Sequence, residues 1–173
     1  DAANAGPDRG VCDSVMVNLT ALPSTNGGTG TWSVLSGSGI VSDFHDPVSA
    51  LVNLSFGDNQ LRWNVVSQFG ICPGSSDIVT ITRDEAPAPA FAGLDQELCL
   101  TVSAPLGANT ASVGTGTWSV ATKPAAVDPV ILPDNNSPNA TVQILSGNEG
   151  IYRLAWTIVN ASCRTTDTLT IDF

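Results

Sequence analysis

Four cysteines, Cys12, Cys72, Cys99 and Cys163, are the side chains here with the widest chemical range. A thiol can ligate zinc, act as a nucleophile or pair as a disulfide. Zinc calls for clustered ligands, and the chain has no CxxC or HxxxH spacing and one histidine, His45, in the loop-like word Asp43-Phe44-His45-Asp46. Catalysis calls for convergent groups of matched pKa. One histidine and no Gly-x-Ser-x-Gly word do not supply them, and the reading is of a protein that is not an enzyme. Disulfides remain, and four cysteines allow three pairings.

A duplication selects among them. Ala5-Gly6-Pro7-Asp8-Arg9-Gly10-Val11-Cys12 returns as Ala92-Gly93-Leu94-Asp95-Gln96-Glu97-Leu98-Cys99. Gly28-Thr29-Gly30-Thr31-Trp32-Ser33-Val34 returns as Gly114-Thr115-Gly116-Thr117-Trp118-Ser119-Val120. Leu61-Arg62-Trp63 matches Leu154-Ala155-Trp156, and Cys72 with Asp77-Ile78-Val79-Thr80-Ile81 matches Cys163 with Asp167-Thr168-Leu169-Thr170-Ile171. The offset is 87 residues at the first cysteines, 86 at the first tryptophans and 91 at the last cysteines. Self-similarity at a fixed period marks a repeat architecture. Its symmetry selects one bridge per repeat, Cys12–Cys72 and Cys99–Cys163. Each would close a loop of about 60 residues, worth roughly 3–4 kcal/mol if unstrained, and would place the chain in an oxidising compartment.

The acids are the other reactive set. The net charge is −10, with nine acids and three bases before Pro87 and seven acids and three bases from there on. Each repeat is acidic and has no basic patch, which argues against nucleic acid or an anionic membrane as partner. Calcium takes six to eight oxygens, and Asp8 and Asp95, at matching places, with Asp84 and Glu85 between the repeats, form the candidate set. The competing role for Asp8 and Asp95 is to accept backbone N–H bonds in turns.

The elements that would position these groups are strands. Apolar and polar residues alternate near 15–19, 31–35, 51–54, 59–66 and 78–82, and again near 102–104, 116–120, 140–145, 150–159 and 168–172. Val15, Val17 and Leu19 are expected on one face. Gly, Asn and Pro words separate the runs, and 122–138 reads as a long loop. Period-two runs bounded by such turns are half-buried strands, and six or seven in about 86 residues indicate an all-β fold of two tandem immunoglobulin-like antiparallel sandwiches. The domains are placed at 1–86 and 87–173. Asp84-Glu85-Ala86-Pro87-Ala88-Pro89-Ala90 reads as a semi-rigid linker. Trp32, Trp63, Trp118 and Trp156 fall on central strands as core residues. The cysteines flank the strands, so a bridge would staple an end or edge of the sandwich rather than its middle. No apolar run is long enough to span a membrane, and the opening residues read as mid-protein, with an export segment expected upstream.

These words together resemble the PKD-like repeats of the giant cell-surface gliding-motility adhesins of Bacteroidetes (SprB-type), over nearly all 173 residues. The resemblance implies type IX secretion, display as a long extracellular filament, and a stalk role in surface attachment and gliding. Its partners would be neighbouring repeats and, through the parent protein, an extracellular surface or polysaccharide. Asp13-Ser14-Val15 and Asp167-Thr168-Leu169 match the O-glycosylation pattern of that phylum, making Ser14 and Thr168 candidate sites. The alternative reading is a carbohydrate- or protein-binding accessory module of a secreted enzyme, which would need aromatic side chains exposed on one face. No cofactor is expected other than calcium.

Overall fold

The computed structural model describes residues 2–25, 27–69, 73–124 and 127–173. The chain divides into two compact units, Asp1–Glu85 and Ala86–Phe173, one residue from the expected boundary. Among the described residues the regular structure is all strand.

In the first unit the strands are β1 (Arg9–Cys12), β2 (Met16–Asn18), β3 (Thr29–Ser36), β4 (Ile40–Val41), β5 (Ala50–Val52), β6 (Gly57–Val66) and β7 (Ser75–Asp84). They form a four-stranded sheet of order β1-β7-β6-β3 and a three-stranded sheet of order β2-β5-β4. The second unit has β8 (Gln96–Glu97), β9 (Ser103–Pro105), β10 (Thr115–Thr122), β11 (Val130–Leu132), β12 (Thr141–Gln143), β13 (Ile151–Asn160) and β14 (Cys163–Asp172). Its sheets run β10-β13-β14-β8 and β11-β12-β9. The pairing repeats to the register: Trp32 lies opposite Trp63 and Trp118 opposite Trp156, and both long ladders slip by a bulge, at Val34/Ser36 and at Val120/Thr122. In each unit the first short strand lies parallel to the last long one.

Alternation builds the cores. Along β6, Asn59, Leu61, Trp63 and Val65 point inward between outward Asp58, Gln60 and Arg62. Val79 and Ile81 of β7, Trp32 of β3, Val41 of β4 and Leu51 of β5 meet them in one cluster. The second unit repeats this with Trp118, Val142, Leu154, Trp156, Ile158, Leu169 and Ile171. Two sheets burying facing stripes in a shared core make a sandwich.

Two local expectations are corrected. Val15 does not share an inward face with Leu19: it is 55% exposed, whereas Leu19 is 1% exposed. The chain leaves β1 through Asp13 at φ 45°, and Ser14 Oγ folds back on the backbone of Met16, so the strand and its alternation start one residue later. The stretch 122–138 is not wholly loop, because Val130–Leu132 pairs with β12. The short parallel strands β1 and β8 were hidden because two to four residues are too few to show a period.

Candidate functional site

The carboxylates at repeated positions converge on one task. Asp8 Oδ1 accepts the backbone N–H of Thr80 at 2.7 Å, and Asp95 Oδ1 accepts that of Thr170 at 2.7 Å. In the opposite direction, Asp77 Oδ2 on β7 accepts the N–H of Ala5, and Asp167 Oδ2 on β14 accepts that of Ala92, both at 2.8 Å. Ser75 and Thr165 add a third stitch by accepting from Ala3 and Ala90. Each repeat thus sews its first segment to its last strand with side-chain oxygens taken alternately from either side. A lone β-edge N–H needs such an acceptor, and a carboxylate makes a stronger bond than a neutral group.

This defines the role of the candidate calcium residues. Asp8 and Asp95 accept N–H groups of strands more than 70 residues away in sequence, rather than capping local turns. Asp84 stands opposite Cys12 and so lies four residues along β7 from Thr80, about 13 Å at strand rise. Asp84 and Glu85 both have interaction partners of their own. Among the described residues, no three His, Cys, Asp or Glu side chains gather as a metal-holding group. Asp77 and Asp167 were not singled out as acceptors from sequence, although the repeated word following the second cysteine contains both.

The tryptophans are 1% exposed in all four places. Trp32 and Trp63 pack with ring centroids 4.9 Å apart and planes at 46°; Trp118 and Trp156 pack at 5.1 Å and 49°. The Nε1–H of Trp32 donates to Asp46 O, that of Trp118 to Ser137 O and that of Trp63 to Leu22 O, each at 3.1 Å. The matching Nε1–H of Trp156 is buried without an acceptor among the described residues. The Gly-Thr-Gly-Thr-Trp word now has a physical cause. The indoles of Trp63 and Trp156 lie flat on Gly30 and Gly116, where a Cβ would come within 2.7 Å and 2.8 Å of three indole carbons.

The loop that carries His45 straps the exposed edge of β3. Trp32 N–H donates to Phe44 O at 2.8 Å, and Trp118 N–H makes the equivalent bond to Asn135 O at 2.7 Å. Asp43 and Asp46 accept the N–H groups of His45 and Val48, and Asp134 accepts those of Asn136 and Ser137. The exposed His45 ring lies 3.2 Å from Gly30 O and 3.4 Å from Thr31 Oγ1, and among the described residues it belongs to no group of three His, Cys, Asp or Glu side chains. Covering an edge in this way hinders pairing with another chain. Of the candidate glycosylation positions, Ser14 Oγ is tied to the carbonyl of Met16, and Thr168 is an exposed residue of β14.

The cysteines depart from expectation. Cys163 is buried and disulfide-bonded, but Cys99 is an exposed free thiol, so the Cys99–Cys163 bridge is not formed. Register explains why. Cys163 opens β14, while Cys99 follows β8, which pairs with Ile171 and Asp172 at the strand's far end. Nine residues of strand separate those ends by about 30 Å, whereas a disulfide needs Cα atoms within about 7 Å. Cys12 is disulfide-bonded and stands opposite Asp84, nine residues along β7 from its first residue, Ser75. Cys72, the partner expected for Cys12, lies outside the described residues.

Beside Cys99 is a hollow of about 580 Å³ lined by Leu98, Leu100, Thr101, Val102, Glu149 and Phe173 with the cysteine itself. The carboxyl of Glu149 is held below the usual glutamate range by backbone hydrogen bonds, first that from Gly147.

No protein-family model matches the chain, and no curated protein matches its sequence. Among solved structures, it is similar to extracellular domains 3–5 of Drosophila OTK, with TM-score 0.60 and 11% identity over 99% of this chain and 62% of that one. It is also similar to immunoglobulin domains 1–5 of Sidekick-1, with TM-score 0.50 and 16% identity over 98% of this chain and 38% of that one. The chain therefore spans less than two thirds of either structure. At such identity the likeness is one of fold, and the fold is all-β and immunoglobulin-like.

Proposed function

We propose that the chain is a non-catalytic structural and adhesive module, two repeats from the stalk of a long extracellular filament of the gliding-adhesin type. The observation that carries this reading is the commitment of the polar groups in both repeats to holding the repeat together. Asp8, Asp77, Asp95 and Asp167 spend their oxygens on backbone N–H groups. Both tryptophan pairs are buried in the cores and so do not form the exposed aromatic face that a carbohydrate-binding module would use. The adhesive part rests on the sequence resemblance, as do export by type IX secretion and a place on the cell surface. An acidic surface on each repeat favours solubility and repulsion between like modules.

The deciding experiment has three parts, the last a deletion of the parent protein. The full-length parent sequence is determined, and antibodies raised against these repeats are used to locate it on intact cells by immuno-electron microscopy. Many similar repeats in one chain, label along surface filaments and loss of attachment or gliding on deletion are the expected results. Two repeats beside a hydrolase domain, or label confined to the cell interior, would overturn the reading.

A further inference from the structure

We propose that Cys99 is a covalent link to a second copy of this repeat, through the cysteine that in that copy occupies the place of Cys163. The inference rests on the array reading above and adds to it a pattern of bonding between repeats.

The first ground is that the equivalent cysteine in this chain is already oxidised. Cys12 and Cys99 occupy one position in the fold. Cys12 ends the short strand that runs parallel to the last long strand and stands opposite Asp84, and Cys99 lies two residues beyond the matching strand, the residue before it, Leu98, donating its N–H to Asp172 O at 2.8 Å. Each is followed by a non-glycine residue at positive φ, Asp13 at 45° and Leu100 at 59°. A branched side chain such as leucine rarely adopts that conformation, so its recurrence marks a specified turn that presents the cysteine. At that turn Cys12 is disulfide-bonded and Cys99 is free.

The second ground is reach. Cys163 is disulfide-bonded, and about 30 Å of β14 lies between it and Cys99. The two cysteines of this repeat cannot bond each other while the strand is intact. A repeat that oxidises both positions must bond outward from each end.

The third ground is the surface around the thiol. Leu98, Leu100, Val102 and Phe173 surround Cys99, and Leu100 is fully exposed. At the corresponding places in the first unit, Asp13 and Arg83 form an ion pair at 2.6 Å and Arg83 lies over Phe56. Leu98 and Phe173 pack on the repeat's own core, Phe173 edge-on to Tyr152 at 5.7 Å, and the exposed Leu100 and Val102 are the apolar surface that a docked repeat would cover.

The chemistry is thiol–disulfide exchange. The Cys99 thiolate attacks a disulfide R–S–S–R carried by a thiol oxidant of the export compartment, forming Cys99–S–S–R and releasing RS⁻. The partner cysteine's thiolate then attacks the Cys99 sulfur and expels the second RS⁻. The two protons lost by the cysteines end on the two RSH products. The oxidant gains two electrons, and the repeats gain one S–S bond.

The test is a non-reducing tryptic map of the full-length parent after alkylation of free thiols. Cleavage after Arg9, Arg62, Arg83, Arg153 and Arg164 puts each of the four cysteines on its own peptide, because Lys123 precedes Pro124 and is resistant. The peptide of residues 84–153 is expected to be joined to a peptide from a following repeat and to take no label. In the isolated 173-residue chain, Cys99 is expected to take one label without denaturant. A Cys99→Ser variant of the parent, shown to be folded by its melting transition, is expected to free one thiol in the following repeat. If the parent contains a following repeat and peptide 84–153 is labelled in full, or is joined to residues 63–83 or 154–164, the inference fails and the array reading stands. A parent with no further repeat overturns both.

Discussion

Replacing Gly116 by alanine tests the central packing claim, that the indole of Trp156 rests on a bare backbone. A Cβ at position 116 would lie no farther than 2.8 Å from three indole carbons, where apolar carbons normally sit about 3.5–4.0 Å apart. Relief requires a shift of about 1 Å or more in the indole or in strand β10. The indole has little room, because Trp118 packs on it at 5.1 Å between centroids and Trp156 is only 1% exposed. Overpacking costs about 1–3 kcal/mol, and this close approach belongs at the upper end. For a unit of this size, about 3 kcal/mol lowers Tm by roughly 12–24 °C.

The assay is thermal denaturation followed by indole fluorescence, within a double-mutant cycle. Gly116→Ala is combined with Trp156→Leu, which removes the atoms that clash. The alanine penalty should largely vanish in that background, giving a coupling of about 2 kcal/mol, within the range for residues in contact. Gly107→Ala is the control. Nothing lies within 4 Å of its built Cβ, so it should be neutral or stabilise by up to about 1 kcal/mol. A Gly116→Ala protein with parental stability, or additive effects in the cycle, would refute the packing argument.

The other predictions concern the polar groups. Asp167→Ala should cost about 1–3 kcal/mol, because it strands the N–H of fully buried Ala92, while Asp167→Asn keeps an acceptor and recovers most of the loss; chemical denaturation measures both. Asn59 is fully buried and donates to the carbonyls of Ser55, Gly57 and Ile81, so Asn59→Ala should cost about 2–4 kcal/mol by the same measurement. Millimolar calcium should leave Tm unchanged relative to chelator, because Asp8 and Asp95 are already engaged by backbone donors; a calcium-dependent rise in Tm would support the metal reading.

The fold was legible because alternation and duplication are both written in the chain. The ten-residue strands β6 and β13 each carry several turns of the period-two pattern, so their inward tryptophans could be assigned from spacing. The short strands could not, and neither could the bend at Asp13, since a positive φ at a non-glycine residue leaves no compositional mark. The carboxylate stitches were half legible. The repetition of Asp8 and Asp95 flagged a role, but their donors, Thr80 and Thr170, become neighbours only when the first segment runs parallel to the last strand. A parallel pair between the two ends of a domain is the least local contact a chain can make, and no window of sequence displays it.

The same topology undoes the pairing of cysteines by symmetry. Repeat symmetry in the sequence groups Cys12 with Cys99 and Cys72 with Cys163, and it then invites a bridge inside each repeat. In the second repeat direction decides otherwise. Because β8 runs parallel to β14, the chain reaches Cys99 at the end of β14 farthest from Cys163. An antiparallel first strand would have carried that cysteine toward the start of β14 instead. The strand direction that lets Asp95 stitch the sheet is thus also what separates the two sulfurs of the second repeat. The second repeat is therefore closed at its first strand by packing and by the Asp95 and Asp167 stitches, with no sulfur bridge between Cys99 and Cys163.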